Sequence, residues 1–181
     1  MQQGSLFTGK QIQYPKPEPR VSFWDEVISG KYASKIKEAA VRKRVSSAGD
    51  VYNVLKPIFA QEDDVERMYG IYSNRKNEII SIDLIARGSI SGASIYPREI
   101  VKEVLAKKAS GLVISHNHPS GDPRPSPEDL YITKHILFAL HLIGAQLLDH
   151  VIIGNNGRYH SFADSGTLTT MRIDAEKILK T

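Results

Sequence analysis

The chain has 181 residues, a net charge of +4 and no cysteine, which excludes disulfides and thiolate metal ligands and fits a reducing cytosol. Hydrophobic residues make up 41% and charged residues 24%, an ordinary globular balance for one domain with its own core plus arms. No apolar run approaches the ~20 residues that cross a bilayer, and Met1-Gln2-Gln3-Gly4-Ser5-Leu6-Phe7 lacks the basic and apolar regions of a secretory signal, so the expectation is a cytoplasmic chain with no membrane partner.

Residues 1–20 read as poorly ordered, with Pro15-Lys16-Pro17-Glu18-Pro19 an extended segment, and Trp24–Ile28 is expected to begin a small helix. The basic run from Lys31 to Arg44 reads first as a solvated helix face and second as a contact for phosphate or an acidic protein. Only Tyr32 is interleaved there, too little for a base-stacking surface. Residues 1–45 are taken as an N-terminal arm, 46–166 as the main domain and 167–181 as a tail. Ser46-Ser47-Ala48-Gly49-Asp50 supplies helix-start residues, and Val51, Leu55, Ile58 and Phe59 recur at helical spacing, predicting a helix over 48–60.

Met68–Ser73 and Glu78–Arg87 read as strands joined by a turn at Asn74-Arg75-Lys76-Asn77. Pro97 opens a helix with Ile100, Val101, Val104 and Leu105 on one face, and Gly111 is expected to end it. Gly111-Leu112-Val113-Ile114 is a buried strand. Ser126 is a good N-cap, Pro127 a good first helical residue, and Glu128 and Asp129 favour the positive end of a helix dipole. That helix continues through Leu142 and closes near Gly144. Gln146–Ile153 and Arg158–Phe162 read as strands around a turn at Gly154–Gly157, and 171–181 as a terminal helix. The order predicts an α/β chain of the α+β type, a mixed β-sheet flanked by helices.

His116 and His118 stand where the buried strand runs out into a loop, and residues i and i+2 of an extended chain point to the same side. Asp129 returns on the first turn of the next helix after a loop stiffened by Pro119, Pro123 and Pro125. Two imidazoles and one carboxylate make a three-ligand zinc site with the fourth tetrahedral position open, the catalytic kind rather than the closed structural kind. A water held there needs a carboxylate base that is not itself a ligand. Glu62, Glu66, Glu78 and Glu99 are the upstream candidates, and the residue pattern leaves the choice among them open. Ser126 has two readings, a helix N-cap and a hydroxyl that helps hold the oxyanion. His135, His141, His150 and His160 read as surface or core residues, and Asp149 and His150 as structural.

The wording His116-x-His118-Pro119, six residues, Ser126, two residues, Asp129 resembles the JAMM motif of MPN/JAB-domain zinc metallopeptidases. His116-Asn117-His118-Pro119-Ser120-Gly121-Asp122-Pro123-x-Pro125-Ser126, Arg87-Gly88-Ser89-Ile90, Ala93-Ser94-Ile95-Tyr96-Pro97-Arg98-Glu99 and Leu148-Asp149-His150-Val151-Ile152-Ile153-Gly154 resemble the RadC-like branch in particular. The resemblance implies an MPN/JAB, cytidine-deaminase-like architecture and one zinc ion on His116, His118 and Asp129. It also implies Glu66 as the general base, because that family's glutamate opens the first strand of the hairpin, and a catalytic site that includes Ser126. The implied activity is hydrolysis of a peptide or isopeptide bond in a peptide or protein substrate. Alternatives are a DNA-associated accessory protein and a non-catalytic scaffold. Residues 1–45 show no Gly-x-Gly hairpin of the helix-hairpin-helix type, which gives nucleic acid little support as a partner.

Overall fold

The computed structural model describes residues 29–60, 64–88 and 95–179, together with Glu26. The expectations for residues 1–20, for Trp24–Ile28 apart from Glu26, for Glu62 and for 89–94 lie outside the described residues.

Strands β1 (Arg67–Ser73) and β2 (Ile79–Arg87) pair antiparallel around the polar turn. The turn works because the Asn74 side-chain oxygen accepts from the Lys76 and Glu78 backbone N–H groups, and Asn77 takes the left-handed conformation that asparagine tolerates. On its other side β1 pairs antiparallel with β3 (Gly111–Asn117), which pairs parallel with β4 (Gln146–Ile153). β5 (Tyr159–Ser161) closes the edge antiparallel to β4. Among the described residues the sheet is mixed and five-stranded, in the order β2-β1-β3-β4-β5. Central β1 and β3 are buried along their whole length, as strands covered on both faces must be.

Helices α1 (Lys31–Ala40) and α2 (Ala48–Phe59) cover one face. There Ala40, Val51, Leu55, Ile58 and Phe59 meet Tyr69, Ile71, Val113 and Val151. Residues 31–45, read above as part of an arm, thus contribute Ala40 and Val45 to a core, and the chain after α1 bonds to the sheet through Arg42 N–H to the Ile79 carbonyl. Within the basic run, Lys35 pairs with Glu26 at 2.7 Å and the Lys37 ammonium lies 4.7 Å from the Tyr69 ring centre.

Helices α3 (Pro97–Ala106), α4 (Pro127–Leu142) and α5 (Thr167–Leu179) cover the opposite face, where Ile100, Val104, Ile136 and Leu140 pack on Met68, Leu112, Ile114 and Ile152. Two local expectations need correction. Leu105 is 58% exposed rather than on the buried stripe, which Ile100 and Val104 carry. Gly111 does not end α3. Lys108 turns left-handed there while Ala109 N–H reaches back to the Val104 carbonyl, and Gly111 instead opens β3. α4 ends as the sequence predicts, with Gly144 left-handed and Ala145 N–H bonded to the Leu140 carbonyl. No helix among the described residues is long and apolar enough to cross a membrane.

One irregularity in the sheet bears on the site. Leu112 faces Leu147, but Val113 faces Asp149, so Leu148 is an extra residue in β4. Beyond this bulge His150, not Asp149, lies beside Ile114.

Candidate metal centre

The site forms where β3 runs out, at the start of β1 and at the N-terminus of α4. His116 is paired with Met68 across the β1–β3 ladder, and Glu66 lies two residues before Met68, so the two side chains share a face. His118 follows the strand end, and Asp129 sits in the first turn of α4. Ligand-type atoms of Glu66, His116, His118 and Asp129 all lie within 4.8 Å of one another.

The separations suit a metal. His116 Nε2 is 2.9 Å from His118 Nε2 and 3.2 Å from Asp129 Oδ1, and His118 Nε2 is 3.5 Å from Asp129 Oδ2. Ligands 2.0–2.1 Å from a tetrahedral zinc stand about 3.3 Å apart. Asp129 Oδ1 is buried and has no hydrogen-bond partner, although an orphaned buried acceptor is costly. A cation among these atoms would satisfy it. Glu66 Oε1 is 3.7 Å from His116 Nε2. The His116 and Asp129 side chains are 0% and 1% exposed and form the floor, while Glu66 and His118, at 16% and 17%, stand at the mouth.

Each side chain is held from behind. His118 Nδ1–H donates to the Asp122 carbonyl at 2.7 Å, which in the neutral ring leaves Nε2 bare towards the other ligands. The loop that offers this carbonyl is pinned to the β4–β5 turn, because the Gly121 carbonyl accepts from Asn155 N–H and from the Arg158 guanidinium. Gly121 is left-handed, and a Cβ there would collide with the Asn155 amide. Asp129 belongs to a capping box: its Oδ2 accepts from Ser126 N–H and Ser126 Oγ–H, both at 2.8 Å, and Asp129 N–H donates to Ser126 Oγ at 3.1 Å. The Ser126 hydroxyl proton is therefore engaged with the carboxylate. Asn117, between the two histidines, is 5% exposed and brackets Glu66. Its side-chain oxygen accepts from Arg67 N–H at 2.8 Å, and its amide donates to the Val65 carbonyl at 3.1 Å.

Electrostatics follow the geometry. Burial, then the neighbouring His150, pushes His116 well below the ordinary imidazole value. The hydrogen bond to Asp129 raises His118 against partial desolvation. Burial acts to raise the Asp129 carboxyl, but His118, His116 and Ser126 outweigh it and hold it well below the usual carboxylate range. Burial pushes His150 down to about 3.

Of the residues picked from sequence, the structure brings together Glu66, His116, His118, Ser126 and Asp129. Glu78 and Glu99 are elsewhere: Glu78 accepts from Asn74 at the hairpin turn, and Glu99 pairs with Arg98 on α3. Sequence reasoning missed the supporting residues. Asn117 becomes visible only once β1 is known to lie beside β3, and the four-residue helical spacing of Thr133 to Asp129 was a signal without a known partner. His150, read as structural, has its Nε2 2.8 Å from His116 Nδ1. The reading that Asp149 and His150 face opposite ways holds: Asp149 accepts from Ser161 Oγ, Ala163 N–H and His150 N–H, tying β5 and the following turn to β4.

A mixed-sheet α+β domain that gathers two imidazoles and two carboxylates at its strand ends is a domain of the JAB/MPN type. The family described as RadC-like JAB domain matches residues 45–167, and the chain belongs to that family. It is similar to a UPF0758 protein of Methanosarcina mazei, 37% identical over 125 residues, which are 69% of this chain and 54% of that protein. A UPF0758 protein of Symbiobacterium thermophilum is 34% identical over 145 residues, 79% of this chain and 61% of that protein. One from Clostridium acetobutylicum is 45% identical over 103 residues, 57% of this chain and 44% of that protein. The chain spans about half the length of the curated relatives it matches.

Proposed function

We propose that the chain is a zinc-dependent hydrolase of the JAMM type acting on a peptide or isopeptide bond. The observation that carries this reading is the convergence of His116, His118, Asp129 and Glu66 around Asp129 Oδ1, a buried acceptor with no hydrogen-bond donor. Two imidazoles and one carboxylate suit zinc among the common divalent ions. His116, His118 and Asp129 would hold the ion. When bound, zinc supplies a Lewis acid and brings the pKa of its water towards ~7. Glu66, at the exposed mouth, takes the proton of the attacking water and returns it to the departing amine. Asn117 keeps the Glu66 backbone in register with His116 while it does so. A cavity of about 140 Å³ beside His118, lined by Tyr52, Lys56, Phe59, Asn117 and Ile153, offers room for one residue of an extended substrate.

Zinc content and turnover together test the reading. Protein purified without added metal should carry about one zinc per chain, and His118→Ala should lose it. Glu66→Gln should keep the zinc and lose ~10²-fold in turnover on a peptide library. Loss of zinc in Glu66→Gln would make Glu66 a ligand, and full activity in that variant would move the base elsewhere or leave a non-catalytic scaffold. The DNA-associated alternative rests on the basic run alone. A salt series of duplex binding tests it, because a phosphate-contacting patch loses affinity steeply as salt rises.

A further inference from the structure

The two ligand imidazoles reach the same orientation by different routes. For His118 a backbone carbonyl suffices, since the Asp122 oxygen can only accept and so fixes the proton on Nδ1. His116 has no carbonyl behind it. Its Nδ1 meets another imidazole, His150 Nε2, at 2.8 Å. Either ring can donate in such a pair, so the contact alone does not say which nitrogen of His116 is bare.

Further back there is no such freedom. Thr133 Oγ1 is 2.5 Å from the Asp129 carbonyl oxygen and 2.6 Å from His150 Nδ1. Two oxygens at that separation need a proton between them, and the carbonyl has none to give. The single hydroxyl proton of Thr133 therefore points at Asp129. The contact to His150 must then be filled by a proton on His150 Nδ1. His150 is 0% exposed, stacks on Phe162 at 4.7 Å between ring centres, and its two ring nitrogens meet His116 and Thr133 rather than a carboxylate. A neutral ring that carries its proton on Nδ1 has a lone pair on Nε2, which accepts from His116 Nδ1–H. His116 Nε2 is left unprotonated, facing His118 and Asp129.

We infer that His150 and Thr133 are positioning residues that impose the metal-binding tautomer on His116, with the order of protons set by the Asp129 backbone carbonyl. This inference rests on the metal-site reading above. The same residue, Asp129, thus offers its carboxylate to the ion and its carbonyl to the relay that orients a second ligand. Partners behind a ligand histidine commonly matter 10–100-fold in metal affinity.

Two measurements decide it on the full chain. Long-range nitrogen–proton NMR of metal-free protein should show His116 and His150 each protonated on Nδ1. A proton on His116 Nε2 would overturn the inference. Zinc affinity is then measured by chelator competition, with folding checked by amide spectra. Thr133→Val, which keeps the shape and removes the hydroxyl, should weaken zinc by about tenfold or more and put a proton on His116 Nε2. Thr133→Ser should restore both properties. His150→Gln presents an acceptor to His116 and a donor to Thr133, and should stay within a few-fold of wild type, whereas His150→Phe should not. Wild-type zinc affinity in both Thr133→Val and His150→Phe would overturn the inference and leave the metal reading standing. Failure of the wild type to bind zinc would sink the metal reading instead, while the spectra still decide the tautomer.

Discussion

Replacing Asn117 with leucine removes the amide that brackets Glu66 while keeping the side chain's size. The change strips Arg67 N–H of an acceptor at 2.8 Å and the Val65 carbonyl of a donor at 3.1 Å, at a residue that is 5% exposed. Each bond contributes about 1 kcal/mol net, and a buried group left unsatisfied costs about 1–3 kcal/mol. Val65 is half-buried, which lets water replace part of its loss. The expected destabilisation is therefore about 2–4 kcal/mol, read from urea melts of the metal-free chain. If the strand end frays instead of the whole fold weakening, amide exchange shows it without any substrate. The Arg67 N–H and Gly88 N–H, the latter bonded to the Glu66 carbonyl at 2.8 Å, should exchange at least tenfold faster, while amides at the centre of β3 stay protected. Zinc affinity should change little, because His116, His118 and Asp129 keep their own supports. A variant with wild-type stability and unchanged exchange at Arg67 would refute the bracket. One that lost zinc with its histidine tautomers intact would make Glu66 part of the ligand set.

Ser126→Ala should cost about 1 kcal/mol as a lost N-cap and weaken zinc, since both Oγ–H and its geometry act on Asp129 Oδ2; calorimetry and chelator competition read the two effects, and an unchanged melting temperature would show that the box contributes nothing. Asp149 gives a pH signature. Burial raises its carboxyl pKa against the hydrogen bonds from Ser161, Ala163 and His150, so the folded chain binds that proton more tightly than the unfolded chain. Its contribution is fully present below the unfolded pKa of ~3.9 and is lost as pH rises through the folded value. Relative to Asp149→Asn, the wild type should lose stability as pH rises across that window in urea titrations; parallel curves would contradict the assignment. Deleting residues 1–45 removes Ala40 and Val45 from the core on the α2 face, and should cost ~2–4 kcal/mol in a denaturant melt, whereas an unchanged melt would show that α1 is dispensable.

Much of the frame was legible because it depends on local chemistry. Ser126-Pro127-Glu128-Asp129 specifies a helix start whatever surrounds it, and Asn74 to Asn77 specifies a turn. The histidine pair was legible because alternation along a strand is a property of one strand alone. The supports were not, because they depend on which strands are neighbours and in what register. Nothing local in Leu147-Leu148-Asp149-His150 says that β4 lies parallel to β3 or that Leu148 is extra. The basic run is solvated as expected at Lys31, Lys35, Arg42, Lys43 and Arg44, but Lys37 also covers Tyr69, a contact that depends on the fold. Gly111 looked like a helix stop because glycine usually is one after such a segment. Its place is instead a strand so close to its neighbours that a Cβ would meet Leu148 and Ser73 at 2.7 Å.

The bulge at Leu148 makes β4 a strand with a reading frame. Upstream of it Leu147 belongs to the α4 face, and downstream so do His150 and Ile152. Leu148 and Asp149 share the α2 face, where both line a cavity with Val45 and Val113. Removing Leu148 would therefore heal the bulge and leave Asp149 opposite Val113 and His150 beside Ile114, whereas a residue inserted between Asp149 and His150 would turn His150 away from His116. A single-residue insertion between Asp149 and His150 should therefore weaken metal binding, read by chelator competition, whereas deletion of Leu148 should leave it within a few-fold of wild type. Length downstream of the bulge is under tighter control than length at it, since the step from Asp149 to His150 is what turns an imidazole towards His116.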